Sequence, residues 1–225
     1  MAKGTAKSEE SGSPRLPAGR HGLPREFIVQ NQRERIITAL VDTVAEHGYN
    51  ATTVAHITKA ASVSRRTFYE HFADKEACFL AAYDMVADHL RDSMRAAAES
   101  FEEWPQQVRA ALATMLSFLA GEPELARLVM TEPVAAGGEI AARHRASVQG
   151  FAEILKAGRP QHGGARPLPE ATEETVIGGI VSLIVREISS GRAERLEELL
   201  PDLVELTLAP YLGNEEAERL ARSGS

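Results

Sequence analysis

The sequence predicts an all-α protein in which a small N-terminal domain of three helices precedes a larger helical domain. Three observations lead to this prediction. Apolar residues recur at three- and four-residue spacing along most of the chain, without the alternation that is typical of β-strands. Proline and glycine residues interrupt this pattern at intervals expected between helices of ordinary length. Two consecutive arginines, Arg65 and Arg66, stand where a short helix is expected to begin.

The length and composition of the chain limit its class and its location. The 225 residues, 44% of them hydrophobic, are enough for a small domain joined to a larger one. No apolar run approaches the roughly 20 residues that a membrane-spanning helix needs, and the first residues lack the apolar core of a signal peptide. A single cysteine, Cys78, excludes an intrachain disulfide, and we interpret it as a buried thiol. We therefore expect a cytoplasmic protein.

The charge is unevenly distributed along the chain. The net charge of −7 argues against a protein that contacts nucleic acid over its whole surface. Residues 1–25 carry five cations against two anions, and residues 26–76 carry six against seven. Most of the acidic excess therefore lies further along, and only the N-terminal third is expected to face DNA.

Composition and breaks divide the chain into four parts. Residues 1–23 are rich in Gly, Ser, Pro and Arg and are predicted to form a disordered basic tail. We favour a passive leader over an arm that contacts DNA phosphates or the minor groove. A helix-turn-helix domain is expected over residues 24–75 and a helical regulatory domain over 76–213. Residues 214–225 are predicted to form a C-terminal tail.

The first helix is expected to end at His47, where Gly48 is a suitable stop. Its start is ambiguous. Pro24 is a possible first-turn proline, whereas Asn31 followed by Glu34 resembles a capping box. The apolar residues between these points form one stripe along the helix.

The second and third helices are short and closely spaced. Thr52 or Thr53 can cap the second helix, and Ser64 is well placed to cap the third. Only Ser62 and Val63 remain for the turn between them. Three helices with such a short second turn form a helix-turn-helix arrangement.

The third helix has an apolar side and a basic side. Phe68 and Phe72 are four residues apart and are expected to point together into the small core. Arg65 and Arg66 then face outwards in the first turn, where the helix dipole disfavours each cation by about 0.3–1 kcal/mol. A DNA phosphate or a guanine edge would offset this cost.

The rest of the chain is predicted to be helical almost throughout. Helices are expected near residues 75–99, 105–120, 123–131, 138–157, 170–190 and 194–212.

The run GYNATTVAHITKAASVSRRTFYEHFADKEACFL, which begins at Gly48, resembles the N-terminal DNA-binding domain of the TetR family of bacterial transcriptional regulators. The resemblance covers about residues 30–80. Its most specific parts are Thr53, Ile57, Val63-Ser64, Thr67-Phe68-Tyr69, His71-Phe72 and Lys75-Glu76. Ser62 departs from the pattern, since the family more often has glycine there. Serine can occupy a turn with a negative φ, so this departure bears on the angle of the turn and not on its existence.

The resemblance implies which residues contact DNA. Ser64, Arg65 and Arg66 would face base edges or nearby phosphates, and an arginine that binds guanine through both acceptors discriminates by about 1–3 kcal/mol. Tyr69 has two equally favoured roles, either against the DNA backbone or a thymine methyl group, or half-buried in the core. The full set implied by the resemblance is Thr53, Ser64, Arg65, Arg66, Thr67, Tyr69, His71 and Lys75.

The resemblance also implies that Thr53, His71 and Lys75 lie against phosphates. For Lys75 the alternative is a surface lysine at the start of a helix.

The C-terminal domain resembles the family's regulatory domain in outline, which implies a ligand cavity between helices. The apolar candidates are more often plain core than ligand contacts. His144 is the obvious polar anchor among them, although the sequence favours a surface position for this histidine. The apolar character favours a hydrophobic effector. The candidate ligand-binding residues are Phe101, Trp104, Met115, Phe118, Met130, His144 and Phe151.

The resemblance further implies a dimer interface built from the last two long helices. Gly178 and Gly179 would either allow a partner helix to approach closely or mark a local kink. The candidate interface residues are Ile177, Ile180, Val181, Ile184, Leu203 and Leu206.

The leading functional hypothesis is a repressor that binds a palindromic operator in double-stranded DNA as a homodimer and is released by a small hydrophobic effector. One alternative is a constitutive dimeric DNA-binding protein without an effector. The other is an all-α enzyme acting on an apolar substrate, which the scattered histidines and the absence of a metal-binding motif disfavour. We therefore expect no catalytic residue, no metal and no cofactor.

Overall fold

The computed structural model describes residues 25–157 and 168–222, and every regular element in these ranges is helical. The prediction of an all-α fold is confirmed. Within the same ranges no helix combines the length and apolar character needed to cross a bilayer. The elements are α1 (Arg25–His47), α2 (Val54–Ala61), α3 (Arg65–His71), α4 (Lys75–Glu99), α5 (Trp104–Gly121), α6 (Pro123–Met130), α7 (Glu132–Ala136), α8 (Gly138–Ala157), α9 (Thr172–Ser189), a 3₁₀ segment (Ala193–Leu199), α10 (Leu200–Leu212) and α11 (Asn214–Arg222).

Side-chain caps define where the short helices of the N-terminal domain begin. The hydroxyl of Thr53 accepts a hydrogen bond from the backbone N–H of His56 at 3.2 Å, at the start of α2. Ser64 accepts from the N–H of Thr67 at 2.9 Å, at the start of α3. Each cap satisfies a backbone donor that the first turn of a helix leaves unpaired. Both caps agree with the sequence analysis.

The start of α1 differs from one of its two predicted positions. The helix is continuous through Asn31, so a capping box with Glu34 does not begin it. Arg25 is the first described residue and is already helical. Pro24 and the predicted tail over residues 1–23 lie outside the described residues.

The core of the N-terminal domain forms where α1, α2 and α3 meet. Phe68 is fully buried, and its ring centroid lies 5.8 Å from that of Phe72, as their four-residue spacing predicts. Ile57 of α2 and Leu40 of α1 are also fully buried in this core. Because these residues come from all three helices, burial of their apolar surface fixes the orientation of α3.

The regulatory domain is a bundle of helices in which α4 packs against α5 and α8 packs against α9. The predicted C-terminal tail is not a tail over its described part. Residues Asn214–Arg222 form α11, which packs against α10 and buries Ala217 and Ala221. Arg109 of α5 donates to the backbone oxygen of Ala221 at 2.9 Å. The two alanines are small enough for α11 to pack closely, which charge composition alone did not indicate.

The turn between α2 and α3 has the angle that the sequence left open at Ser62. This residue has φ 53° and ψ 45°, in the left-handed region. The turn closes the end of α2 through hydrogen bonds from Ser62 N to Lys59 O at 3.2 Å and from Val63 N to Thr58 O at 3.0 Å. The guanidinium of Arg35 also donates to the backbone oxygens of Ala61 and Ser62. These contacts hold a serine in a conformation that glycine adopts without strain.

We therefore expect Ser62→Gly to raise the free energy of unfolding by roughly 0.5–1 kcal/mol, because relief of left-handed strain exceeds the added entropy of the unfolded chain. Urea denaturation of both proteins measures this difference. Ser117→Gly is the matched control. Ser117 is exposed inside α5, where the same replacement should destabilise by about 0.5 kcal/mol. Equal losses at both positions would contradict the prediction.

Candidate nucleic-acid interface and ligand cavity

The first turn of α3 exposes two arginines. The Arg66 side chain is 90% exposed, and its Nε donates to Oε1 of Glu70 at 3.0 Å, one turn further along. Arg65 is exposed and forms no hydrogen bond or ion pair within the described residues. Both guanidinium groups therefore remain available to an external anion or base edge.

The small polar residues around α3 combine a structural role with an exposed position. The hydroxyl oxygens of Ser64 and Thr67 lie 2.9 Å apart, and Ser64 also caps the helix. Thr53, the cap of α2, is exposed as well. These hydroxyls lie at the surface that a DNA backbone would approach if α3 entered the major groove.

Tyr69 lies at the surface rather than in the core. Tyr69 is 56% exposed, and its ring lies perpendicular to that of the buried Phe68, with 5.4 Å between the ring centroids. His71, at the end of α3, is half-buried beside Phe72. Both aromatic side chains therefore lie at the edge of the core and are partly exposed to solvent.

Lys75 is neither a free surface lysine nor an unconstrained phosphate ligand. Its ammonium donates to the backbone oxygens of Tyr49 at 2.7 Å and Thr52 at 2.9 Å, and lies 4.0 Å from the centroid of the Tyr49 ring. Burial lowers the pKa of Lys75 below its ordinary value. Two of its three N–H groups are therefore committed to holding the loop between α1 and α2.

An apolar cavity of about 80 Å³ lies inside the regulatory domain, between α4, α5, α6, α8 and α9. Three methionines contribute to its wall, and their flexible side chains can adapt to different shapes. The lining residues are Tyr83, Ala87, Leu90, Met94, Leu112, Met115, Val129, Met130, His144, Ser147, Val148, Phe151, Ile177, Ile180, Val181 and Ile184.

A neutral polar group stands at one side of this cavity. The hydroxyl of Tyr83 lies 3.2 Å from Nδ1 of His144, and both residues are buried. Burial, reinforced by the charge of Arg145, lowers the pKa of His144. Burial raises the pKa of Tyr83, which Ser147 opposes through a side-chain hydrogen bond. At pH 7 the pair is an uncharged hydrogen-bonding site in an apolar wall.

Four of the predicted ligand-binding residues line this cavity, namely Met115, Met130, His144 and Phe151. The other three do not. Phe101 is 44% exposed, the ring of Trp104 contacts Tyr211 at 4.9 Å, and Phe118 lies beside His89 at 5.8 Å.

The sequence analysis missed Tyr83 and Ser147 in this cavity. The spacing of Tyr83, Ala87, Leu90 and Met94 along α4 marks one helical face, but only its neighbours decide that this face borders a cavity.

The predicted dimer residues require a larger correction. Ile177, Ile180, Val181 and Ile184 line the cavity, and three of these four are buried within the chain. Leu203 is fully buried as well, whereas Leu206 is 55% exposed. The apolar side of α9 is covered by its own chain, so these buried residues are not available to a partner.

The middle of the exposed side of α9 consists of small residues, since Thr175, Gly178, Gly179 and Ser182 all face outwards between the exposed Glu174 and Arg186. A Cβ atom added to either glycine would meet nothing within 4 Å, so packing within the chain does not require glycine there. The helix continues through both glycines.

Comparisons with known proteins agree with this arrangement. The family model described as "Bacterial regulatory proteins, tetR family" matches residues 36–82. The HTH-type transcriptional activator FasR of Mycolicibacterium smegmatis is 26% identical over 150 residues, which are 67% of this chain and 68% of the relative.

Solved structures resemble the whole fold. The structure of FadR from Bacillus subtilis in complex with stearoyl-CoA covers 79% of this chain and 98% of its own, with a TM-score of 0.69 and 21% identity. That of SmeT, the repressor of the Stenotrophomonas maltophilia multidrug efflux pump SmeDEF, covers 80% and 92%, with a TM-score of 0.67 and 16% identity. At these identities the likeness shows the fold.

The matched residues 36–82 contain the helix-turn-helix, and the relatives are regulators of transcription rather than enzymes. Over residues 36–82 the chain therefore matches the TetR family of bacterial regulatory proteins, and its overall fold resembles those of the solved regulators.

Proposed function

We propose that this regulator binds a palindromic operator as a homodimer through α3, and that a small apolar effector in the regulatory cavity alters this binding. The observation that carries the proposal is the pair of exposed arginines, Arg65 and Arg66, on the first turn of α3. A helix dipole disfavours cations at this end, so their position is best explained by an external anion or base edge. The proposed site of action is bacterial DNA in the cytoplasm.

The internal ion pair of Arg66 does not prevent DNA contact. An exposed pair one helical turn apart contributes only about 0.2–0.5 kcal/mol. An arginine bound to both guanine acceptors contributes about 1–3 kcal/mol of discrimination. The balance favours exchange of Glu70 for a base edge, with Ser64, Thr67 and Tyr69 placed to contact the adjacent backbone or bases.

Homodimerisation follows from the geometry of operator binding. Two recognition helices that enter successive major grooves must be held about 34 Å apart by a partner of the same shape. The exposed small residues of α9, together with Leu206 of α10, form a surface that a second copy can approach closely. This surface replaces the buried isoleucines as the candidate interface.

The cavity favours an apolar effector with one hydrogen-bonding group. Its wall is apolar apart from the uncharged Tyr83–His144 pair and the neighbouring Ser147. FadR from Bacillus subtilis, which has a similar fold, is in complex with stearoyl-CoA in its solved structure, so an acyl compound is our leading candidate. At about 80 Å³ the cavity is smaller than the roughly 300–1,000 Å³ typical of ligand sites, so binding would widen it.

The direction of regulation stays a prediction. The relatives include an activator, FasR, and a repressor, SmeT, and the same contact between α3 and DNA is compatible with both outcomes. Our sequence-based hypothesis of a repressor is retained. The alternative of a constitutive DNA-binding protein is less favoured, because it gives no role to the adaptable, methionine-rich cavity.

We expect Arg65→Ala combined with Arg66→Ala to weaken binding to an operator selected from random DNA by about 2 kcal/mol or more, because base contacts are lost. Fluorescence anisotropy at several salt concentrations measures the affinity and its salt dependence. Arg95→Ala is the matched control, since Arg95 is also exposed and paired with a neighbouring carboxylate, but lies on α4. Unchanged affinity of the double variant would refute the assignment of α3.

We expect Gly179→Leu to raise the dimer dissociation constant by about tenfold or more, because the new side chain would collide with a closely packed partner. The folded monomer should gain roughly 0.5–1 kcal/mol from improved helix propensity. Analytical ultracentrifugation separates the two effects. Gly150→Leu, at another open glycine in α8, should leave dimerisation unchanged. Equal dissociation constants for all three proteins would remove α9 from the interface.

We expect the free energy of unfolding to fall as the pH is lowered from 7 towards 5, and His144→Gln to reduce this dependence. The pKa of His144 is depressed below its ordinary value of 6.5 by burial. Just below pH 6.5 the unfolded chain therefore binds a proton at this imidazole that the folded chain does not. The free energy of unfolding is thus highest above pH 6.5 and falls as the pH is lowered through the pKa of the folded state. Urea denaturation at each pH measures the slope, with the exposed His89→Gln as control. If the free energy of unfolding depends on pH equally in the parent and in His144→Gln, then the folded protein does not hold this imidazole in its neutral form.

A further inference from the structure

The loop between α1 and α2 is held by the regulatory domain through two hydrogen bonds, one of them buried. The backbone N–H of Tyr49 donates to Oε2 of Glu132, the first residue of α7, at 2.8 Å. Glu132 is only 7% exposed. Asn50 donates through Nδ2 to the backbone oxygen of Ala135 at 3.2 Å. A carboxylate that accepts a backbone N–H in a buried place makes a strong and directional link.

Arg127 adds a second connection between the same two segments. Its Nη1 donates to the backbone oxygen of Ala45, in the last turn of α1, at 3.0 Å. Its Nη2 lies 3.5 Å from Oε1 of Glu132. A guanidinium suits this position because the last carbonyls of a helix lack partners within it. Arg127 and Glu132 together form what we call the latch.

The other side of the loop is tied to the helices that carry the DNA-binding surface. The Tyr49 backbone oxygen accepts from Lys75, the first residue of α4, and Lys75 also donates to Thr52. Thr52 immediately precedes Thr53, the cap of α2. Tyr49 is therefore bound through its N–H by the latch and through its carbonyl by α4.

The latch lies next to two residues of the cavity wall in the sequence. Val129 and Met130 lie between Arg127 and Glu132, and both line the cavity wall. A ligand larger than the 80 Å³ cavity must displace part of this wall. Because Val129 and Met130 share the short α6 segment with Arg127 and only Thr131 separates them from Glu132, their displacement moves the latch.

The buried carboxylate makes this connection stiff. Separating Glu132 from Tyr49 without new partners would leave a buried carboxylate oxygen and a backbone N–H without their hydrogen bond, which is unfavourable. When Glu132 moves, the loop between α1 and α2 must therefore move with it, or the latch must form a second set of hydrogen bonds. In either case a change at the cavity wall shifts the loop from one arrangement to another.

We propose that the latch couples occupancy of the cavity to the position of the DNA-binding helices, with Glu132 as the main positioning residue. This inference rests on the proposed function, in which α3 binds DNA and the cavity binds an effector. It adds the physical connection between the two sites, which neither site contains by itself.

The test compares coupling in the parent protein and in Glu132→Ala. Anisotropy measures affinity for the selected operator with and without stearic acid or stearoyl-CoA as probes, and Val181→Phe fills the cavity without any ligand. We expect the ratio of operator affinities for empty and occupied protein to fall about fivefold or more in Glu132→Ala. Probe affinity without DNA, and operator affinity without probe, should each stay within about threefold of the parent.

Two further variants separate coupling from general damage. Glu132→Gln retains an acceptor oxygen for Tyr49 and should keep the parent ratio within about threefold. Glu187→Ala removes an equally buried glutamate that bonds Arg192 and Arg186 but does not line the cavity. It should leave the ratio unchanged.

The outcomes distinguish the inference from the function on which it rests. A parent protein that binds no operator, or whose operator affinity responds to neither probe nor to Val181→Phe, overturns the proposed function and the latch with it. A responsive parent whose ratio is retained in Glu132→Ala, or lowered equally by Glu187→Ala, overturns the latch alone.

Discussion

The ammonium group of Lys75 joins the N-terminal domain to the helix that enters the regulatory domain. It satisfies the backbone oxygens of Tyr49 and Thr52 and lies over the Tyr49 ring. The cost of its burial is evident in its lowered pKa. Because Thr53 caps α2 immediately beyond this point, the placement of α2, and through the shared core that of α3, depends on the same contact. A loop of unpaired carbonyls would otherwise separate two rigid parts.

α9 presents two unlike surfaces. Its isoleucines, including Ile180 and Ile184, face inwards and border the cavity, whereas Gly178, Gly179 and Ser182 face outwards. In the proposed dimer this one helix would touch the effector on one side and the partner subunit on the other. A ligand that widens the cavity would then act on the subunit arrangement as well as on the latch.

Features fixed by neighbouring residues were predictable from the sequence, and features fixed by distant ones were not. The caps Thr53 and Ser64 act within three residues of themselves, and the pairing of Phe68 with Phe72 follows from one helical turn. The left-handed Ser62 is held partly by Arg35, 27 positions away.

The inward side of α9 posed a related difficulty. From Val176 to Val185 the one polar residue of α9 is Ser182, which gives little sequence signal for which apolar side is covered by its own chain. The role of Lys75 was missed for the same reason, because its partners lie on a loop more than 20 positions earlier in the chain. The chain's one thiol offers an experimental probe of the same region. Cys78 sits fully buried three residues beyond Lys75, and burial raises its pKa to about 12, so it stays protonated and shielded from reagents. Its rate of alkylation therefore measures how often the contact region between the two domains opens to solvent.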